Sequence, residues 1–549
     1  MNPIEAVVFD LGGVVLGSPL EGIADFEREN FIPAGFVNFN VLSRGETGAF
    51  QVLERGEITV NDFYGKFKAE LEDPEQLRKF AKLKGIPAEK LPNHLSVDTV
   101  LLFKSMLDRS LLADPNFVHA IYMLRGSGIK VGALTNNFAP MGSISEGSIE
   151  IQSLQDLFDE IVESAVEGIR KPDPRAYQLI CDRLKVSPTR TAFLDDIGLN
   201  LKSAKELGLE TFLVKAKDKQ AALRGLQIAI QRRNNLKINF ETEVTEPNQL
   251  FWRLSGDRVL VGDAFGCAYN PPVVLFAGGG QTRFAWTNTC KMLSKNNLFA
   301  IAVDIKGHGE SYWDKDGDYS PMSFGRDIDE LMKKIGLFHR KPIVIGASFG
   351  GLSMLSTKFS HNDCGGIVLV DVTPKLEPSG VDKIIQFMGN GINNGFESLD
   401  EALEAIRAYT PQRLKTTINL EGLRKNLKYD ERTKRYIFNW DPQFLPLAKS
   451  QFKDSNLEIF EKLLLDNCKK INCPVLLVRG KLTELISDEG VQSLKSAIPQ
   501  LKVADVSQAG HMVAGDQNDM FSTEVLAFVS DLKATLLKAS LPIFKTSKL

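Results

Sequence analysis

Residues 6–15, AVVFDLGGVV, and residues 273–282, VVLFAGGGQT, each run an apolar, β-branched stretch straight into a glycine turn. That is the layout of a buried strand in an α/β sheet, whose C-terminal end opens onto a ligand. Two such openings in a chain of 549 residues imply two domains, since a single core stops growing near ~250–300 residues. Around the first, IKVGALTNN (129–137) and TRTAFLDD (189–196) read as further buried strands that end in polar residues. Around the second, LFAIAVD (298–304), KPIVIGAS (341–348), GGIVLVD (365–371) and CPVLLVRG (473–480) do the same. Helical patterns fill the gaps, with a cap expected at about 20–100 and a lid at about 374–472. The polar stretch 234–250 reads as a linker. The expected fold class is therefore α/β, two doubly wound domains over 1–233 and 251–538, with a tail at 539–549.

An apolar share of 43% and a charged share of 25% are ordinary for a packed protein and argue against disorder. Lys and Arg number 66 against 69 Asp and Glu, so no basic field suits a phosphate backbone and no nucleic-acid partner is expected. A small, lipid-like substrate is expected instead. No apolar run reaches the ~18 residues of a membrane span, and MNPIEAVVFD lacks the pattern of a secretory signal. The six cysteines are scattered without a CxxC pair, which fits reduced thiols. Ser547-Lys548-Leu549 is the tripeptide that a peroxisomal import receptor reads at a C-terminus, so a peroxisomal protein with a cytoplasmic pool is expected. The oligomeric state stays open, a homodimer included.

Asp10 follows the first strand and precedes a glycine turn with free amides, a setting that suits a nucleophilic carboxylate. Attack on a phosphoryl group needs a cation and donors for its oxygens. Thr135 and Asn136 can bind phosphate, Lys171 can neutralise it, and Asp195 and Asp196 can hold Mg²⁺ with Asp10. FDLGGV, LTNN, RKPDP and FLDDIGLNLKSAKELG resemble the four motifs of the haloacid dehalogenase-like superfamily over about residues 5–215. The likeness is to the phosphatase domain of two-domain soluble epoxide hydrolases and to the N-terminus of acyl-CoA dehydrogenase family member ten. It implies a Rossmann-like domain with a helical cap and a Mg²⁺-dependent phosphatase. Gly12 departs from that family, which carries a second Asp there as acid and base. Its carbonyl can still face the metal, but the lost proton donor is worth ~10²–10⁴ in rate. Slow or specialised turnover and a merely retained scaffold are both consistent with it.

In the second half, Gly346-Ala347-Ser348-Phe349-Gly350 fits the G-x-S-x-G turn that exposes a serine above a parallel sheet, and His511 follows downstream. The amides of Gly279 and Phe349 are placed to receive an oxyanion. Asp371 and Glu484 both follow strands and are the two candidates for the acid, Glu484 preferred because its loop is the commoner source. His308, within DIKGHGES, reads as a turn residue rather than a base. Residues 255–535 resemble the α/β-hydrolase superfamily with a helical lid, Ala277-Gly278 replacing the usual His-Gly.

The domain order resembles a soluble epoxide hydrolase, a family that uses an Asp nucleophile. A serine opening an epoxide would leave an ether, which has no carbonyl for water to attack. The lid tyrosines Tyr409, Tyr429 and Tyr436 do not remedy this. The expected function is thus a serine hydrolase acting on an acyl ester or thioester and needing no cofactor, with Phe387, Met388 and Phe396 as apolar lid surface. A bifunctional epoxide hydrolase and lipid-phosphate phosphatase is the alternative, and a non-catalytic scaffold the third reading.

Overall fold

The computed structural model describes residues 2–87, 95–110, 113–137, 157–242, 246–335, 341–357, 364–409, 420–446, 454–507, 509–511 and 518–540. The chain divides into two compact units, residues 1–241 and 242–549. The terminal tripeptide 547–549 lies outside the described residues.

The first unit is built on five parallel strands, β1 (Ala6–Phe9), β2 (Lys130–Thr135), β3 (Glu160–Glu163), β4 (Thr191–Asp195) and β5 (Glu210–Leu213), in the order β3-β2-β1-β4-β5. All of β1 is buried, as a central strand covered on both faces must be. Phe9 pairs with Leu194, so Asp10 and Asp195 emerge side by side where the strand order reverses. Among the described residues six α-helices between Pro19 and Ser110 form the cap, with their own core of Phe26, Phe36, Phe63, Phe67, Phe80 and Phe103.

The second unit holds eight strands, β6 (Asn248–Arg253), β7 (Val259–Phe265), β8 (Pro272–Phe276), β9 (Phe299–Val303), β10 (Ile343–Ala347), β11 (Gly366–Val370), β14 (Val475–Gly480) and β15 (Leu501–Val506), with the lid hairpin β12 (Leu427–Asp430) and β13 (Arg435–Phe438) between β11 and β14. Their order is β15-β14-β11-β10-β8-β9-β7-β6. Six, from β15 to β9, are joined by parallel pairing, whereas β7 is antiparallel to both β6 and β9, so the sheet is mixed. The sequence expectation of a linker to residue 250 is corrected here. NQLFWR alternates buried and exposed residues, the signature of an antiparallel edge, and pairing begins at Asn248.

The lid adds helices Pro378–Asn394, Leu399–Tyr409, Leu420–Asn426 and Asp454–Cys468. All six cysteines are buried free thiols, and burial pushes Cys181 and Cys473 up to about 11 and Cys468 to about 12. Among the described residues no helix is long and apolar enough to cross a membrane.

Candidate active sites

Ser348 stands between β10 and helix Phe349–Leu355 with φ 46° and ψ −121°, a strained conformation held by close backbone approach. A Cβ on Gly346 would lie 2.7 Å from Gly351 Cα, and one on Gly350 only 2.4 Å from the Ala277 carbonyl. Glycine at both positions is therefore a packing requirement. The Ser348 N–H donates to Val370 O at 3.0 Å, which ties the turn to β11.

His511 Nε2 lies 2.9 Å from Ser348 Oγ, and its Nδ1 lies 2.8 Å from Asp371 Oδ2. Asp371, just past β11 and fully buried, also accepts from Gly480 N–H at 3.1 Å and from the Thr483 hydroxyl at 2.6 Å. The three donors hold the carboxylate in one orientation. The preference for Glu484 is overturned: its side chain is 59% exposed and paired with Lys383. A solvated carboxylate bound to a lysine cannot orient His511, and Asp371 occupies that place.

The glycine turn after β8 lies against the serine. A Cβ on Gly278 would meet Ser348 Cβ at 3.3 Å, and one on Gly279 would meet Phe349 Cβ at 3.4 Å. Among the described residues neither the Gly279 nor the Phe349 N–H has a hydrogen-bond partner. Lid residues wall this turn: Phe444 packs edge-on against Phe349 at 4.9 Å, and Met388 Cε is 3.1 Å from where a Cβ on Gly280 would sit. Phe387 and Phe396 instead pack on Phe438. Tyr429 and Tyr436 pair with each other across the β12–β13 hairpin, ring centroids 5.1 Å apart, and Tyr429 is exposed; the Tyr409 side chain lies outside the described residues.

Two features were not readable from the sequence. His308 is fully buried, and its Nε2 accepts the Gly280 N–H at 2.9 Å. Arg283, buried beside the same turn, donates its N–H and its Nη1 to Asp304, each at 2.5 Å. The DxxGxG spacing hinted at a turn, but its partners are distant in sequence.

In the first unit Lys171 Nζ lies 2.7 Å from Asp10 Oδ1 and 2.8 Å from Asp195 Oδ2, and is itself buried. Burial raises the Asp10 pKa, neighbouring Asp195 and Asp196 add to the rise, and Lys171 opposes it. Asp195 spends both oxygens on donors: Oδ1 accepts from Ile197 N–H at 2.7 Å and Oδ2 from Lys171, while Asn200 Nδ2 reaches each at 3.1 Å. Asn200 was missed by the sequence reading. Asp196 has fewer commitments, and burial together with Asp195 pushes it up to about 6. Gly13, at φ 81°, makes room for it, since a Cβ there would fall 2.3 Å from Asp196 Oδ2.

Thr135 is buried at the end of β2. Asn136 departs from its expected role, because its side chain bonds both the N–H and the carbonyl of Lys171, at 2.8 and 3.0 Å. Its amide group thus holds the lysine backbone in place. Gly12 lies at φ −66° and ψ 122°, open to any residue, and a Cβ there would meet only Pro19 atoms at 3.5 and 3.6 Å. Oxygens of Asp10, Asp195 and Asp196 lie within 4.8 Å of one another, a hard donor set of the kind Mg²⁺ takes.

The haloacid dehalogenase-like hydrolase family matches residues 4–208, and the alpha/beta hydrolase fold matches residues 271–516. Bifunctional epoxide hydrolase 2 of Sus scrofa is 26% identical, across 94% of this chain and 95% of its own. Acyl-CoA dehydrogenase family member 10 of Mus musculus is 33% identical across 38% of this chain, which is 18% of that protein. An esterase of Mycobacterium tuberculosis is 27% identical across 45% of this chain and 78% of its own. The chain is a hydrolase that joins a haloacid dehalogenase-like, phosphatase-type domain to an esterase-like α/β-hydrolase domain, in the architecture of bifunctional epoxide hydrolase 2.

Proposed function

We propose that the second domain hydrolyses acyl esters or thioesters through an acyl-enzyme on Ser348. The observation that carries this reading is the continuous path from Ser348 through His511 to Asp371. His511 Nε2 takes the hydroxyl proton as Ser348 Oγ attacks the carbonyl, and Asp371 stabilises the imidazolium. The Gly279 and Phe349 amides receive the oxyanion. His511 then protonates the leaving alcohol or thiol and activates the water that releases the acid.

Phe349, Phe444 and Met388 make the wall around these amides apolar, which favours a fatty acyl group. The terminal Ser547-Lys548-Leu549 favours a peroxisomal setting, where such esters and thioesters occur. The whole-chain similarity to an epoxide hydrolase supports a second reading. Ser348 argues against it, because the ether left by epoxide opening could not be released.

Labelling with a fluorophosphonate, mapped by mass spectrometry, is expected to place the adduct on Ser348 and to vanish in Ser348→Ala. A folded protein that stays unlabelled sinks the serine reading.

The first domain acts as a Mg²⁺-dependent phosphatase of slow or specialised turnover. Asp10, Asp196 and the Gly12 carbonyl would hold the ion, with Asp195 turned mainly to Lys171 and Asn200. Bound there, Mg²⁺ supplies charge that offsets the phosphate oxygens. Asp10 attacks phosphorus, and Lys171, pinned between two carboxylates, faces the same oxygens. Nothing at Gly12 can protonate the leaving alkoxide. Gly12→Asp, for which there is room, is expected to raise kcat on an alkyl phosphate by ~10- to 100-fold; an unchanged kcat would show that the missing acid does not limit turnover.

A further inference from the structure

This inference rests on the serine-hydrolase reading, which gives the Gly279 amide an oxyanion to bind. The loop that aims this amide is Ala277-Gly278-Gly279-Gly280, with Gly280 at φ 77°. Three consecutive glycines are free to adopt many backbone conformations, yet one oxyanion donor is worth about 10²–10³ in kcat only when correctly aimed. Something outside the loop must fix it.

The buried His308 ring does so. A backbone N–H can only donate, so the 2.9 Å contact from Gly280 requires Nε2 to be the bare acceptor. The ring proton then sits on Nδ1, 3.0 Å from the Lys306 carbonyl. Burial holds the imidazole neutral, its pKa lowered to about 4. The same turn also anchors the lid. Gly309 N–H donates to Asn439 O at 2.8 Å, and Asp441 N–H donates to Gly307 O at 2.7 Å. The Trp440 ring lies 20° from parallel with the His308 ring, and Phe444 meets that ring edge-on at 5.2 Å before continuing to Phe349.

We propose that His308 is a positioning residue for acyl transfer: it holds the oxyanion loop through Gly280 and couples that loop to the docked lid segment 439–444.

The test uses the full chain and the p-nitrophenyl ester of a fatty acid, after fluorophosphonate labelling of the wild type. Absence of labelling there sinks the serine reading itself. With labelling present, His308→Leu is expected to lower kcat by about 10²–10³, the range for a lost oxyanion donor, at a nearly unchanged KM. His308→Gln, whose amide oxygen can accept the same N–H, recovers most of that loss. Equal losses in the two variants, or a loss confined to KM, overturn the proposal. Trp440→Ala is expected to lower kcat in the wild type and to add nothing in His308→Leu, and full additivity overturns the lid coupling. One measurement needs no variant: imidazole ¹⁵N spectra of the native chain should show His308 protonated on Nδ1 and bare on Nε2 at neutral pH. The opposite tautomer overturns the proposal.

Discussion

Asp371 and Glu484 both follow strands of the second sheet, and burial separates their chemistry. Asp371 has no exposure and takes three donors, His511, Gly480 and Thr483. Glu484 is solvated and held by Lys383. Asp371→Asn should therefore cost roughly 10⁴ in kcat, as a wrong His511 tautomer does in a serine triad. Glu484→Gln should stay within a few-fold of the wild type. Steady-state kinetics of the two variants on one ester decide the assignment, and the reverse ranking would return the role to Glu484. The choice was not legible in the sequence, because two acids that follow neighbouring strands differ only in where His511 comes to lie.

At the scale of an element, the turn from β10 into its helix depends on space that only glycine leaves. Gly350→Ala puts a methyl group 2.4 Å from the Ala277 carbonyl, a rigid backbone atom, so the helix or the glycine turn must shift. Overpacking of this kind costs about 1–3 kcal/mol, and here the displaced turn also carries Gly279. The expected outcome is a lower Tm together with loss of fluorophosphonate labelling; an unshifted Tm with full labelling would show that the turn yields freely.

Contiguous features of this sort were legible in advance. G-x-S-x-G is written in five consecutive residues, and AVVFD carries its own burial pattern and its nucleophile. The β6–β7 edge was read as partly linker because Asn248 and Gln249 are polar, although Leu250 and Trp252 turn inward on alternate positions. Asn136, Asn200 and His308 were harder, since each acts on a group that the chain brings back from far away: Lys171, Asp195 and Gly280.

Across the whole molecule, each unit contains one buried neutral histidine among the described residues. His119 lies in the first and bonds the backbone of Asn239 and Glu241, and His308 lies in the second; burial lowers both to about 4. An unfolded chain takes up these protons near pH 6.5 and the folded one does not. Stability from this source is thus fully present above pH 6.5 and falls as pH drops towards 4, by at most about 3 kcal/mol per histidine. Thermal melts between pH 7 and 4.5 should show both units losing Tm, and His119→Gln should flatten the slope of the first alone. An identical slope in that variant would assign the loss to other groups. The six sealed thiols bear on a different property. With every native cysteine buried, the folded chain offers nothing to a maleimide dye. Cysteines introduced at the exposed Phe31 and Trp313, one in each unit, would then carry the reactive labels, and energy transfer between them would report the distance separating the two catalytic halves as the protein works.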